Sequence, residues 1–106
     1  MEFRLVLGYH WYGSYRDVLE SAQAAEEAGF TAIFRGDHLL SVDGAERSVT
    51  EGYLSLAGLA RDTRHIRFGM LVSPVTFRSP ALLLRMIATL DEMSEGRIEL
   101  GLGAGW

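Results

Sequence analysis

Short apolar runs recur along the sequence and alternate with longer stretches in which apolar residues keep helical spacing. Four runs have the length of strands: residues 3–8, 31–35, 68–72 and 97–102. The run 68–72 contains no charged residue, which predicts a strand that is buried on both faces. The strand starts recur at intervals of about 30 residues, the size of one βα unit.

Each of the three stretches between the runs carries helix signals. Ser14 is the predicted N-cap of the first helix, Asp17 gives it a weaker form of the capping box, and Gly29 is its predicted left-handed end. The second helix is predicted from about residue 50 to residue 63. Ser79-Pro80 begins the third as N-cap and first helical residue. The predicted buried faces are aliphatic or aromatic: Val18, Ala22, Ala25, Tyr53, Leu56, Ala57, Ala60, Leu83, Met86, Ile87 and Leu90.

The order βαβαβαβ predicts an α/β fold with a parallel sheet. The pattern leaves open whether this sheet is half of a barrel or a small doubly wound sheet. Half of a barrel has two unpaired edges and an uncovered interior face. We therefore expect such a chain to pair with another copy, to pair with a missing C-terminal half, or to be a truncated piece.

Composition narrows the class of protein. Apolar residues make up 48% and charged residues 23% of the 106 positions, which predicts a folded chain. A net charge of −4 argues against nucleic acid as the main partner. The sequence has no cysteine, hence no disulfide and no thiolate nucleophile, and no apolar run of membrane-spanning length. We expect a cytoplasmic protein without a membrane partner.

Candidate chemistry gathers where the predicted strands end. In parallel α/β folds the carboxyl ends of the strands lie on one side of the sheet, and functional residues collect there. The loops at this side are residues 9–12, 36–38, 73–75 and 103–106. Their convergence on one side predicts a single site.

Asp37-His38 is the sharpest pair among these loops. A histidine titrates near neutral pH, and an adjacent carboxylate can fix its tautomer or raise its basicity. The alternative is that Asp37 accepts backbone N–H groups at a strand end while His38 faces solvent.

Other polar and aromatic residues have two interpretations each. Residues 9–12, with His10 among them, wall a pocket for a flat conjugated ligand or pack over the mouth of the fold. The glycines of residues 101–105 have the spacing GxGxG without a following helix, so they are not a dinucleotide fingerprint. They instead allow a close approach to a ligand or a sharp turn. Arg78 is expected either to hold an anion or to pack near a helix start. His65, just before the third predicted strand, has a single interpretation, a structural role.

Four segments carry a resemblance that covers nearly the whole chain. They are residues 24–30 (AAEEAGF), 36–39 (GDHL), 67–80 (RFGMLVSPVTFRSP) and 96–106 (GRIELGLGAGW). With these segments the chain resembles the N-terminal part of the bacterial-luciferase-like superfamily of flavin and deazaflavin oxidoreductases. The last two segments, at this separation, are the specific ones.

The resemblance implies a TIM (β/α)8 barrel, of which residues 1–106 supply a single half-barrel domain with the first four strands. It also implies a luciferase-like oxidoreductase or monooxygenase with coenzyme F420, or alternatively FMN, as cofactor and a small organic substrate. A non-proline cis peptide is implied at Leu71-Val72, where it bulges against the cofactor ring. Asp37 and His38 are the implied catalytic pair at that ring. The implied cofactor contacts are Asp37, His38, Leu71, Val72, Ser73, Pro74, Gly103, Ala104 and Gly105.

Two departures from the family pattern limit this expectation. Some sugar-phosphate dehydrogenases of the superfamily carry a catalytic glutamate where this sequence has Trp106, so that reaction is doubtful here. The strand 7–8 region that grips a phosphate in such barrels is missing. We therefore predict weak or absent cofactor binding by this chain alone. The competing hypotheses are a non-catalytic half-barrel that dimerises through its sheet edges and a small doubly wound regulatory domain.

Overall fold

The computed structural model describes residues 1–8, 13–40 and 49–105. Within these ranges the chain forms three helices, four main strands and two further strands of two residues each. In chain order the elements are β1 Arg4–Leu7, α1 Tyr15–Glu27, β2 Ala32–Arg35, α2 Gly52–Asp62, β3 Arg67–Met70, β4 Ser73–Pro74, α3 Pro80–Ser94, β5 Ile98–Glu99 and β6 Leu102–Gly103.

The main sheet is parallel and its strands follow the chain order β1-β2-β3-β5. Leu5 pairs with Ile33, Ile33 with Phe68, and Phe68 with Ile98. A doubly wound sheet needs a point at which the strand order reverses, and this sheet has none. The consecutive order is that of a barrel wall, so the structure decides the question that the sequence pattern left open.

All three helices pack on one face of this sheet. A single hydrophobic core joins them to alternate residues of the strands: Val18, Ala22, Ala25, Ile33, Tyr53, Leu56, Leu59, Ala60, Ile66, Phe68, Met70, Leu83, Leu90 and Ile98. The opposite face remains open. Val6 is 48% exposed there, and Glu99 accepts hydrogen bonds from Arg4 at 2.9 Å and from Arg67 at 2.6 Å.

The predicted helix ends are confirmed. Ser14 and Asp17 form a reciprocal capping box at the start of α1, and Gly29 has a φ of 83° just beyond its end. Ser79 caps α3 with Pro80 as its first residue. Helix α2 is slightly shorter than predicted, since it begins at Gly52 with Glu51 as its N-cap.

The prediction of a buried strand over residues 68–72 is wrong at its end. β3 stops at Met70, and the side chains of Leu71 and Val72 are 50% and 37% exposed. The fourth predicted strand is likewise divided, because β5 ends at Glu99 and pairing resumes only in β6. Apolar composition does not distinguish residues that face the core from residues that leave the sheet towards its open mouth.

Two kinds of feature are absent from the described ranges. No helix there is long and apolar enough to cross a membrane. Groups of three or more His, Cys, Asp or Glu side chains that could hold a metal ion are absent from the same ranges.

Candidate functional site

The carboxyl ends of β2, β3 and β5 lie side by side, as the parallel sheet requires. They supply residues 36–38, 71–74 and 102–105. The aromatic residues 9–12, with His10, and the terminal Trp106 belong to the predicted site but lie outside the described residues. The loop predicted over residues 41–48 also lies outside them.

The segments that follow β3 and β5 form one continuous surface. The peptide bond between Leu71 and Val72 is cis, as the resemblance implied. Directly after it β4 pairs with β6, so that Ser73 lies opposite Leu102 and Pro74 opposite Gly103. A Cβ atom on Gly103 would overlap the side chain of Val72. Close approach is therefore one reason for glycine at this position, and the group approached belongs to the neighbouring strand end.

Asp37 is fully buried and is held by an arginine. Its side chain has no exposed surface, and both carboxylate oxygens accept hydrogen bonds from Arg78, at 2.5 Å and 3.1 Å. The same guanidinium donates to Glu51 at 2.6 Å. Burial alone would lower the pKa of Arg78, but the hydrogen bonds and charges of Asp37 and Glu51 outweigh it, and the pKa is raised. Arg78 is thus a fixed cation between two carboxylates.

Tyr53 connects Arg78 with Ser73, in the segment that follows β3. The guanidinium of Arg78 lies 4.7 Å from the centre of the Tyr53 ring, a cation–π distance. The Tyr53 hydroxyl lies 2.6 Å from the Oγ of Ser73, and both residues are buried. Burial is the main cause of the raised pKa of Tyr53, so the phenol stays protonated and can share its hydrogen with Ser73.

Arg35, the last residue of β2, is a second buried cation. It donates to Ser55 Oγ at 2.7 Å and to the Thr50 carbonyl at 2.9 Å. Burial lowers its pKa, and the nearby charges of Glu51 and Asp37 oppose that effect. Two arginines and two carboxylates therefore lie close together beneath the carboxyl ends of the strands, and their formal charges sum to zero. Together with the hydroxyl groups that they contact, they form what we call the polar layer: Arg35, Asp37, Glu51, Tyr53, Ser55, Ser73 and Arg78.

His38 is half-buried and lies closer to solvent than Asp37. Its imidazole folds over Gly36, because a Cβ atom on Gly36 would lie 3.0 Å from Nε2 and closer still to Cδ2. Glycine at position 36 thus leaves the space that the histidine ring occupies. The structure brings Asp37 and His38 to the same strand end but gives their side chains different surroundings.

Four residues of this polar layer, Arg35, Glu51, Tyr53 and Ser55, were missed as site residues by the sequence analysis. A signal for two of them exists. Arg35 is a charge at the end of a short apolar run, and Glu51 stands at a helix start where Ser, Thr, Asp or Asn is preferred. The contact of Arg78 with Asp37 joins positions 41 apart in the chain and has no local signal.

Among the described residues, the surface offered to a ligand is apolar, and His38 lies at the adjacent strand end. Leu71, Val72 and Leu102 are exposed at the strand ends, whereas Ser73 beneath them is buried. Ala104 is exposed, and Gly105 has a φ of 86°, a conformation that favours glycine. This arrangement fits the flat face of a conjugated ring. It fits a phosphate less well, because Arg35 and Arg78 are already engaged by protein groups.

The sequence matches the luciferase-like monooxygenase family over residues 1–106. The chain belongs to this family, and the resemblance stated from its motifs is confirmed.

Individual relatives include users of both expected cofactors. An F420-dependent glucose-6-phosphate dehydrogenase from Amycolatopsis mediterranei is 32% identical over 91 residues, which are 85% of this chain and 27% of the relative. The FMN complex of the oxygenating constituent of 3,6-diketocamphane monooxygenase from Pseudomonas putida has a TM-score of 0.83 and 26% identity. That match covers 100% of this chain and 30% of the other.

A third match is the coenzyme F420-dependent tetrahydromethanopterin reductase from Methanopyrus kandleri. Its TM-score is 0.83 at 25% identity, over 99% of this chain and 27% of the reductase. This chain therefore spans between a quarter and a third of the length of these proteins. Its parallel α/β fold is one piece of their barrel.

Proposed function

We propose that this chain forms part of the cofactor face of an oxidoreductase that transfers hydride between a flavin-type cofactor and a small organic substrate. The cofactor is coenzyme F420, with FMN as the alternative, and when bound it supplies a ring that accepts or donates hydride. The observation that carries the proposal is the exposed apolar surface of Leu71 and Val72 after β3, with the half-buried His38 after the neighbouring strand β2. Relatives named for F420 and one solved with FMN support it.

The strand ends act as a wall for the ring. Leu71, Val72 and Pro74 supply apolar contact, and the burial of Ser73 against Tyr53 keeps this segment in place. Residues 103–105 carry no side chain larger than a methyl group, which leaves room for close approach.

His38 is the proposed proton-carrying group. An imidazole exchanges a proton near neutral pH, and this ring is partly accessible at the mouth. Asp37 is the proposed anchor of the same strand end, since both of its oxygens are held by Arg78. In this division of roles the buried carboxylate fixes the backbone from which His38 projects.

The test is a titration of the isotope-labelled chain with FMN and, separately, with F420, followed by amide NMR. The expected result is a saturating shift of the amides of residues 71–73 and 103–105 with either cofactor. Leu71→Asp should abolish these shifts, while Leu84→Asp, a change at an exposed leucine on α3, should leave them intact. Shifts that survive Leu71→Asp, or that fall on residues outside 71–73 and 103–105, would remove the basis of the proposal.

A second candidate function is that of a non-catalytic half-barrel domain, residues 1–106, which assembles through its sheet. The favouring observation is the open face, where Val6 is 48% exposed, between strands β1 and β5 that each have one neighbour in the sheet. The mass of the purified chain in solution, measured with its flavin-band absorbance, separates the two. A coloured dimer favours the oxidoreductase, and a colourless dimer favours the assembly module. The cytoplasmic location stays a prediction.

A further inference from the structure

We propose that Glu51 is a positioning residue of this site, which acts through Arg78 on the segment after β2 and on β4 together. Its importance for cofactor binding rests on the proposed function above. Its effect on the two strand ends follows from contacts within the polar layer.

The two carboxylate oxygens of Glu51 have different tasks. Oε2 accepts the backbone N–H of Leu54 at 2.7 Å and so caps helix α2. Oε1 accepts from Nη2 of Arg78 at 2.6 Å. Glutamate is not among the preferred N-cap residues, because shorter side chains reach the same N–H group at a lower entropic cost. The contact with Arg78 explains why a longer carboxylate stands here.

Arg78 transmits the constraint to two strand ends. Its forked guanidinium holds both oxygens of Asp37, which lies two residues beyond β2. Its flat face covers the ring of Tyr53, whose hydroxyl meets Ser73 in β4. A planar fork can make these contacts at once, whereas a lysine ammonium cannot.

Burial makes the arrangement sensitive to the loss of one member. The Arg78 side chain is 11% exposed, that of Asp37 is fully buried, and that of Glu51 is 35% exposed. A buried charge that loses a partner must move towards water or find another acceptor. Without Glu51, Arg78 is therefore expected to shift outward, and Asp37 and Tyr53 are expected to shift with it.

The experiment compares Glu51→Ser with Ser14→Ala in the 106-residue chain. Serine is a strong N-cap but is too short to reach Arg78, so Glu51→Ser keeps the cap and removes only the second contact. Ser14→Ala removes a cap from α1, where the Ser14 side chain bonds Asp17. Glu51→Gln, which keeps the length without the charge, serves as the conservative variant and as a second test if Glu51→Ser does not fold.

In amide NMR spectra we expect Glu51→Ser to move the resonances of Asp37 and Ser73 together while the circular dichroism of the helices is retained. Glu51→Gln should restore part of the shift, and Ser14→Ala should cause none at these two positions. We also expect Glu51→Ser to lose the FMN-induced shifts of residues 71–73. Unmoved Asp37 and Ser73 resonances would overturn the positioning role. If the FMN-induced shifts of residues 71–73 survive Leu71→Asp, the proposed function fails, and the resonances of Asp37 and Ser73 still decide the role of Glu51.

Discussion

The Tyr53 hydroxyl and the Ser73 hydroxyl form a 2.6 Å hydrogen bond in which neither residue is more than 3% exposed. Tyr53 belongs to α2 and Ser73 to β4, so the bond joins the helical layer to the strand end that carries Leu71 and Val72. Each hydroxyl is the other's partner in a place that water does not reach. Removal of either one leaves a buried polar group unsatisfied.

Tyr53→Phe and Ser73→Ala should each lower the free energy of unfolding by about 1–2 kcal/mol, because each leaves the remaining hydroxyl buried without its hydrogen-bond partner. Urea denaturation measures both, and the double variant should cost less than the sum of the two. Tyr15→Phe is the control, since its hydroxyl bonds Asp62 in an exposed position where water can replace it. Additive losses at Tyr53 and Ser73 would contradict a direct coupling.

Glu26 should make stability depend on pH. Its carboxylate accepts the backbone N–H groups of Arg64, His65 and Ile66. Burial raises the pKa of Glu26, but these hydrogen bonds outweigh it, and the folded pKa lies below the ordinary value. The stability that Glu26 contributes is therefore present above the unfolded pKa and is lost as the pH falls through the folded pKa.

Glu26→Gln should accordingly lower the free energy of unfolding at pH 7 by about 1–2 kcal/mol, and the difference from wild type should shrink in acid. Urea denaturation across the carboxyl titration range measures the effect. Glu27→Gln, at the exposed neighbouring position, should change little. If the difference in unfolding free energy between Glu26→Gln and wild type is constant with pH, the Glu26 carboxylate is not the source of the pH dependence.

Gly103→Ala should disturb the paired ends of the third and fourth strands. The added methyl group would overlap the Val72 side chain, and this overpacking should cost about 1–3 kcal/mol. Gly8→Ala is the control, because a Cβ atom there meets nothing within 4 Å among the described residues. Thermal unfolding compares the two variants. Equal stability would mean that Val72 moves aside freely.

The chain alone should bind FMN and F420 weakly. Its strand ends present an apolar wall, but the buried cations Arg35 and Arg78 are occupied by Ser55, Asp37 and Glu51 and are not free for a phosphate group. Isothermal titration calorimetry is expected to show little heat even where NMR detects contact. A tight one-to-one complex with a single chain would refute this prediction.

The fold was largely predictable from local patterns. Ser14, Gly29 and Ser79-Pro80 give the helix ends because capping depends on neighbouring residues alone. The choice between barrel and doubly wound sheet was beyond these patterns, because both have the same βα repeat and differ only in strand order.

The placement of the candidate loops was predictable, whereas the side-chain contacts beneath them were not. Parallel strands bring Asp37, His38 and Ser73 to one side for topological reasons, so their loops were found. The partner of Asp37 is Arg78 and the partner of Ser73 is Tyr53, while Glu51 in turn binds Arg78. These residues meet only through the packing of α2 and the loop after β4. Contacts of that kind depend on three-dimensional arrangement, which no short-range spacing in the sequence records.

The residues of the polar layer are close together in the sequence, and this affects how related barrels can be recombined. Every member described here, from Arg35 to Arg78, lies within 44 consecutive positions that run from the end of β2 to the loop before α3. A crossover placed inside this segment separates charges that must be buried together, whereas crossovers on either side transfer them as a set. Chimaeras between family members should therefore keep residues 35–78 from one parent.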